Sequence, residues 1–243
     1  MRIGLIPALV LFPVALAAAQ EGVEIEQTAK RIEFEVHVGE DEEPDGSWVF
    51  TTRTPKEGEL EVKVEFSLSK RGKEYQVAST VVYELGGEGV APVLSRGNCE
   101  TRYMGTRAMT GEIERAEAGM VRARGQGYIE GGVTRRLGGD TQVDPEVPLL
   151  SFNDVALLAP LLFPEDGTVA LDWIEFPNRV DDLLTAKRGG DLERKTEQDR
   201  VTYTFTIDER PLMIVEYDAE GELLGVQTRQ YRLQPKAPRT EGN

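Results

Sequence analysis

The chain has 243 residues, one cysteine, one histidine and a formal net charge of −15. That length is enough for one β-rich domain with a sizeable core, and so acidic a balance argues against general nucleic-acid binding, which needs a basic footprint. A lone Cys99 excludes an internal disulfide, so stability has to come from packing.

The first twenty residues read MRIGLIPALVLFPVALAAAQ. Arg2 supplies a positive n-region, Ile3–Leu16 an apolar h-region, and Ala17-Ala18-Ala19 the small residues that a signal peptidase accepts. Residues 1–19 are therefore expected to be a signal peptide, with 20–30 an N-terminal segment. Pro7 and Pro13 interrupt the run and argue against a retained spanning helix. With no Cys after the h-region, lipid attachment is not expected, and the product should be periplasmic or extracellular. Losing Arg2 would take the net charge from −15 to about −16.

From residue 31 the pattern is one of strands. Ile32, Phe34, Val36 and Val38 alternate with polar residues, and His37 falls in the polar phase, which predicts an exposed strand histidine. Glu40–Gly46 (EDEEPDG) reads as a solvated acidic loop without the ligand spacing of a calcium loop. Leu60, Val62, Val64, Phe66 and Leu68 alternate with Glu59, Glu61, Lys63, Glu65 and Ser67. After a turn at Lys70-Arg71-Gly72-Lys73 come Tyr75, Val77, Val81 and Tyr83. This period of two marks antiparallel strands with one dry and one wet face. Cys99 is expected to be partly buried in a strand.

Between Arg96 and Arg136 there are eight arginines and no lysine. Arginine grips phosphate or carboxylate in two-pronged fashion, so Arg122, Arg124, Arg135 and Arg136 are candidates to hold an anionic headgroup or an acidic partner. A charged outer face is the alternative. Gly119, Gly125, Gly127, Gly131 and Gly132 mark this region as the most curved part of a sheet.

Ser151–Phe163 (SFNDVALLAPLLF) breaks the period and reads as a short, buried helix, apolar on all sides. Ser151 is its expected cap, with Asp154 three residues on. Pro160 cannot donate to the Ala156 carbonyl, so a kink or break is expected there. Trp173, Ile174 and Phe176 should flank the helix. The chain then closes in a meander, Asp199–Leu233, whose hairpin loops fall at Asp208-Glu209-Arg210 and Asp218-Ala219-Glu220-Gly221. A tail follows at 235–243.

Chemistry-bearing motifs are few. His37 has no nucleophile motif beside it, neither HExxH nor CxxC occurs, and no GxSxG elbow, P-loop or dinucleotide fingerprint is present. No metal, cofactor or catalytic residue is expected. Asp172 and Asp181-Asp182 are the carboxylates nearest apolar residues, and a paired-carboxylate hydrolase is the enzymatic alternative; surface solvation is the simpler account of each.

A leader, successive antiparallel strands, one apolar helix and a final meander ending YDAEGELLGVQTRQYRL form an ordering that resembles the periplasmic lipoprotein-carrier fold. It is also similar to a broader set of exported bacterial proteins built on one highly curved sheet. The resemblance rests on architecture over Ile32–Leu233, and this chain shows one helix where the family has several. It implies a half-barrel whose concave face takes acyl chains. The expected fold is thus mainly β: a single highly curved antiparallel sheet over 31–234, a half-barrel or open barrel, with one short apolar helix packed on its concave face. The expected function is non-enzymatic binding of a lipophilic ligand or lipidated partner such as a lipoprotein, with peripheral membrane contact. Leu158, Leu161, Leu162 and Trp173 are expected near the cavity, and Arg122, Arg124 and Arg135 at its rim. A structural or protein-interaction module, with the helix merely completing the core, is the alternative.

Overall fold

The computed structural model describes residues 29–39, 43–86, 91–116, 119–128, 134–163, 165–175 and 184–236. The leader, the acidic residues 40–42, Gly131, Gly132, Phe176, Asp181 and Asp182 lie outside them. The described residues form sixteen strands. The first eight are β1 (Lys30–His37), β2 (Gly46–Arg53), β3 (Glu59–Lys70), β4 (Lys73–Glu84), β5 (Val93–Tyr103), β6 (Thr106–Arg115), β7 (Met120–Tyr128) and β8 (Thr134–Leu137). Then come β9 (Asp140–Gln142), β10 (Leu149–Ser151), β11 (Gly167–Ile174), β12 (Ala186–Glu197), β13 (Arg200–Ile207), β14 (Arg210–Asp218), β15 (Leu223–Thr228) and β16 (Arg232–Pro235). A 3₁₀ turn at Phe152–Asp154 runs into the helix α1, Val155–Leu162.

All sixteen belong to one sheet. Its two arms are meanders, β2 to β8 and β11 to β15, and they meet where β1 pairs with β16, Val36 opposite Leu233. Every pair is antiparallel except β10 with β11, which run parallel. The turns follow from local chemistry. Gly72 and Gly221 take positive φ, at 74° and 84°, and Asp208 and Glu209 are both left-handed, as the twist of a two-residue hairpin demands.

The sheet is strongly curled. Counted along the sheet from β14 to β4 there are six strand spacings, roughly 29 Å if flat at about 4.8 Å each. Yet Tyr217 of β14 and Tyr83 of β4 both bond to the helix region, at Ala156 and Asp154, two residues apart. Only a sheet wrapped around α1 permits that. Near the far edge the wrap tightens further. Leu184, ahead of β12, reaches Gly111 of β6, where a Cβ would lie 2.6 Å from its Cδ2 and 3.1 Å from the Cys99 sulfur.

The concave face holds the core. Phe34, Val36, Phe50, Val62, Val64, Val81, Tyr83, Leu158, Trp173, Phe205, Val215 and Leu233 share one buried cluster. The expected curved sheet with a helix in its hollow is what the chain builds.

Candidate functional site

The helix is seated by polar contacts that its own sequence calls for. Its expected cap is absent: Ser151 makes no side-chain bond to the first turn. Asp154 is instead fully buried and accepts a 2.6 Å bond from the Tyr83 hydroxyl, which in turn accepts from the Ser151 N–H at 3.0 Å. Burial pushes the Asp154 carboxyl up to about 7. Pro160 does not break the helix, which continues to Leu162. The Ala156 carbonyl, which Pro160 cannot serve, takes its hydrogen from the Tyr217 hydroxyl.

Four of the expected ligand-binding residues sit in or against the core. Leu158 is 1% exposed, and Trp173 is buried edge-to-face on Phe205 at 5.3 Å. Leu161 and Leu162, in the last turn of the helix, are only partly buried, so α1 is not enclosed all round.

Beside the 3₁₀ turn the concave face opens into a cleft of about 580 Å³. Phe152 and Asn153 form one wall. Trp48 of β2, Phe66 and Leu68 of β3, Tyr75 and Val77 of β4 and Tyr231 ahead of β16 form the other. Leu158, Leu161, Leu162 and Trp173 are not among its lining residues. The aromatic wall is tightly knit, with Trp48 5.3 Å from Phe66 and 5.5 Å from Tyr231 between ring centroids, and Phe66 6.0 Å from Tyr75. Trp48 Nε1 is buried with no hydrogen-bond partner. Glu175, Arg229, Gln230 and Tyr103 supply the polar and exposed parts of the rim. The signal for this wall in the sequence was Trp48, Phe66 and Tyr75 in the dry phase of successive strands, with Tyr231 joining them through the long-range β1–β16 pairing.

The arginines do not rim this cleft. Val121 and Ala123 of β7 face the core, so Arg122 and Arg124, which alternate with them, project from the convex face. There they line a shallow depression of about 550 Å³ together with Arg96, Glu61, Glu112 and Glu114. Glu114 lies between Arg96 and Arg122 across the sheet, Arg124 faces Glu112, and Arg124 bridges Asp140 at 2.7 Å. Arg135 of β8 pairs with Gly127, in the opposite phase from Arg122 and Arg124, whereas Arg136 pairs with Gln126. The proposed four-arginine patch is therefore split between faces and offset by carboxylates.

Two other expectations are corrected. His37 is buried, 5% exposed, with Asp45 and Lys70 both bonded to the adjacent Val38 backbone. Asp172 is likewise buried at 4%, beside a bulge in β11, with Arg188 at 3.9 Å; burial raises its carboxyl above the usual range. Cys99 is buried as expected, and burial pushes its thiol up to about 12. Among the described residues no group of three or more His, Cys, Asp or Glu side chains is placed to hold a metal ion. Comparison with protein-family models, curated proteins and solved structures finds no match to this chain.

Proposed function

We propose that the protein is an exported, non-enzymatic binder of a lipophilic molecule or of a lipid-bearing partner, and that the ligand enters the aromatic cleft beside Phe152. The observation that carries this reading is the cleft itself. Ligand sites are concave and mostly apolar, with a few polar groups that fix orientation, and a wall of Trp48, Phe66, Tyr75 and Tyr231 with Glu175, Arg229 and Gln230 at the rim has that make-up. Its volume suits one acyl chain or a compact ring system better than a whole phospholipid.

The test is uptake of an apolar fluorophore, displaced by a long-chain fatty acid and followed by tryptophan emission. Leu212 is partly buried and lines the cleft, so Leu212→Glu should weaken uptake at least tenfold in a protein that still melts cooperatively. A native protein that takes up neither dye nor fatty acid at micromolar concentration would overturn the reading. The structural-module alternative would then stand, supported by Leu158 and Ala159, through which the helix fills the core.

A further inference from the structure

Two hairpin tips stand side by side next to the cleft. Arg71 and Gly72 turn β3 into β4, while Met104 and Gly105 turn β5 into β6. They are tied together: the Met104 N–H donates to the Glu74 carbonyl at 2.8 Å, and the Glu74 N–H reaches the Met104 sulfur at 3.2 Å. Tyr103, directly opposite Tyr75 in the register, belongs both to the tip and to the rim of the cleft.

Met104 breaks two local rules at once. It holds a φ of 51° at a hairpin position that favours Asn or Gly, and its side chain is 54% exposed. Tyr103 beside it is 45% exposed, so two of the three exposed large hydrophobics among the described residues are consecutive on this turn. Residues that defy local preference without a compensating gain in packing point to function.

The charge at the tips also runs against the rest of the chain. Lys70, Arg71 and Lys73 lie on one hairpin against one acidic residue, exposed Glu74, and Arg102 and Arg107 lie on the other, in a protein of net charge −15. Lys70 is paired with Asp45, and Arg102 and Arg107 share Glu100. Among the described residues, exposed Arg71 and Lys73 have no carboxylate partner.

We propose that these paired tips are a docking surface for an anionic lipid bilayer, with Arg71 and Lys73 meeting the headgroups and Tyr103 and Met104 entering the interface. An aromatic ring and a flexible thioether beside cations suit a membrane boundary, where one end of the contact is apolar and the other wet. Docking there would bring the cleft rim to the membrane through Tyr103. The proposal goes beyond the ligand reading and does not require it.

The experiment is co-sedimentation of ligand-free protein with vesicles of pure phosphatidylcholine and of phosphatidylcholine mixed with phosphatidylglycerol, at low and at high salt. Wild type should bind only the anionic vesicles and be released by salt. Reversing both free charges, Arg71→Glu with Lys73→Glu, should weaken binding by more than about tenfold, since each basic residue near such a surface contributes roughly fivefold. Met104→Asn, which suits the turn, should weaken binding severalfold without lowering the melting temperature. Leu224→Asn, at the third exposed hydrophobic, should leave binding unchanged. All four proteins are identical outside the substituted positions, so their differences report those positions. No binding to anionic vesicles at low salt, or undiminished binding by either tip variant, would overturn the proposal. Retained dye uptake in that event would leave the ligand reading intact.

Discussion

The Tyr217 hydroxyl donates to the Ala156 carbonyl, the one acceptor in α1 that Pro160 deprives of its intrahelical donor. A residue on β14, 61 positions further along the chain, therefore repairs a defect that the helix carries in its own sequence. Proline inside a helix ordinarily costs about 3 kcal/mol or more, through the missing bond and the clash of its ring. Here the missing bond is replaced from outside.

Removing that donor should be costly. Tyr217→Phe keeps the ring, which packs edge-to-face on Tyr203, but leaves a buried carbonyl unpaired. We expect a loss of about 1–3 kcal/mol in urea unfolding. In a Pro160→Ala background an amide hydrogen becomes available to Ala156, and the same change should then cost less than about 1 kcal/mol. Equal losses in both backgrounds would show that the hydroxyl is not serving the gap left by proline.

The Asp154 carboxyl gives a pH signature of defined sign. Its value in the folded protein is about 7, against 3.8 when exposed, so the folded state holds its proton more tightly. Stability from this group is complete below about pH 4 and falls as pH rises to about 7, by up to roughly 4 kcal/mol in all. Asp154→Asn keeps an acceptor for Tyr83 and removes the titration. Unfolding measured from pH 4.5 to 7.5 should decline in wild type relative to the variant, and parallel curves would contradict the assignment. Glu100, Asp140 and Asp166, whose carboxyls are held low by their partners, act the other way and only in more acid solution.

Helix truncations separate core from surface. Leu158 is fully enclosed, so Leu158→Ala should cost about 2–5 kcal/mol. Leu161 is only partly buried, and Leu161→Ala should cost less than half as much by thermal or chemical melting. A comparable loss at both positions would mean that the last turn of α1 is covered in solution.

Cys99 should be chemically silent. With the thiol pushed up to about 12 and the side chain 4% exposed, almost no thiolate forms at pH 8. A disulfide reagent should label the native protein only as fast as it unfolds, and should label it at once in denaturant. Rapid native labelling would place the sulfur at an open surface.

Much of the fold was legible in the dry and wet phases of single strands. Phe34 and Val36, Val62 to Phe66, and Tyr203 and Phe205 all face the core as their alternation requires. The short helix and the turns at Gly72, Asp208 and Gly221 were legible for similar local reasons. The site was much less so. Alternation says that Arg122 and Arg124 share a face but does not fix that face to the rim of a cleft, and Arg135 belongs to a short strand whose register local sequence does not encode. His37 and Asp172 read as surface residues because neighbours distant in sequence, or a bulge, cover them. The wall of the cleft needs Tyr231 beside Trp48, a contact across some 180 positions that no periodicity announces.

The pairing of β1 with β16 sets an order on assembly. Each arm of the sheet is a run of hairpins that close over short loops, whereas the joint between the arms needs residues near 34 and 235 together. Loop-closure entropy makes that joint the slow step. A chain emerging from its amino end can complete the β2–β8 meander early, yet the hollow that receives α1 is not finished until Leu233 docks beside Val36. Until then two half-sheets expose the margins of β1 and β16, the segments through which an unfinished molecule would pair with another copy of itself.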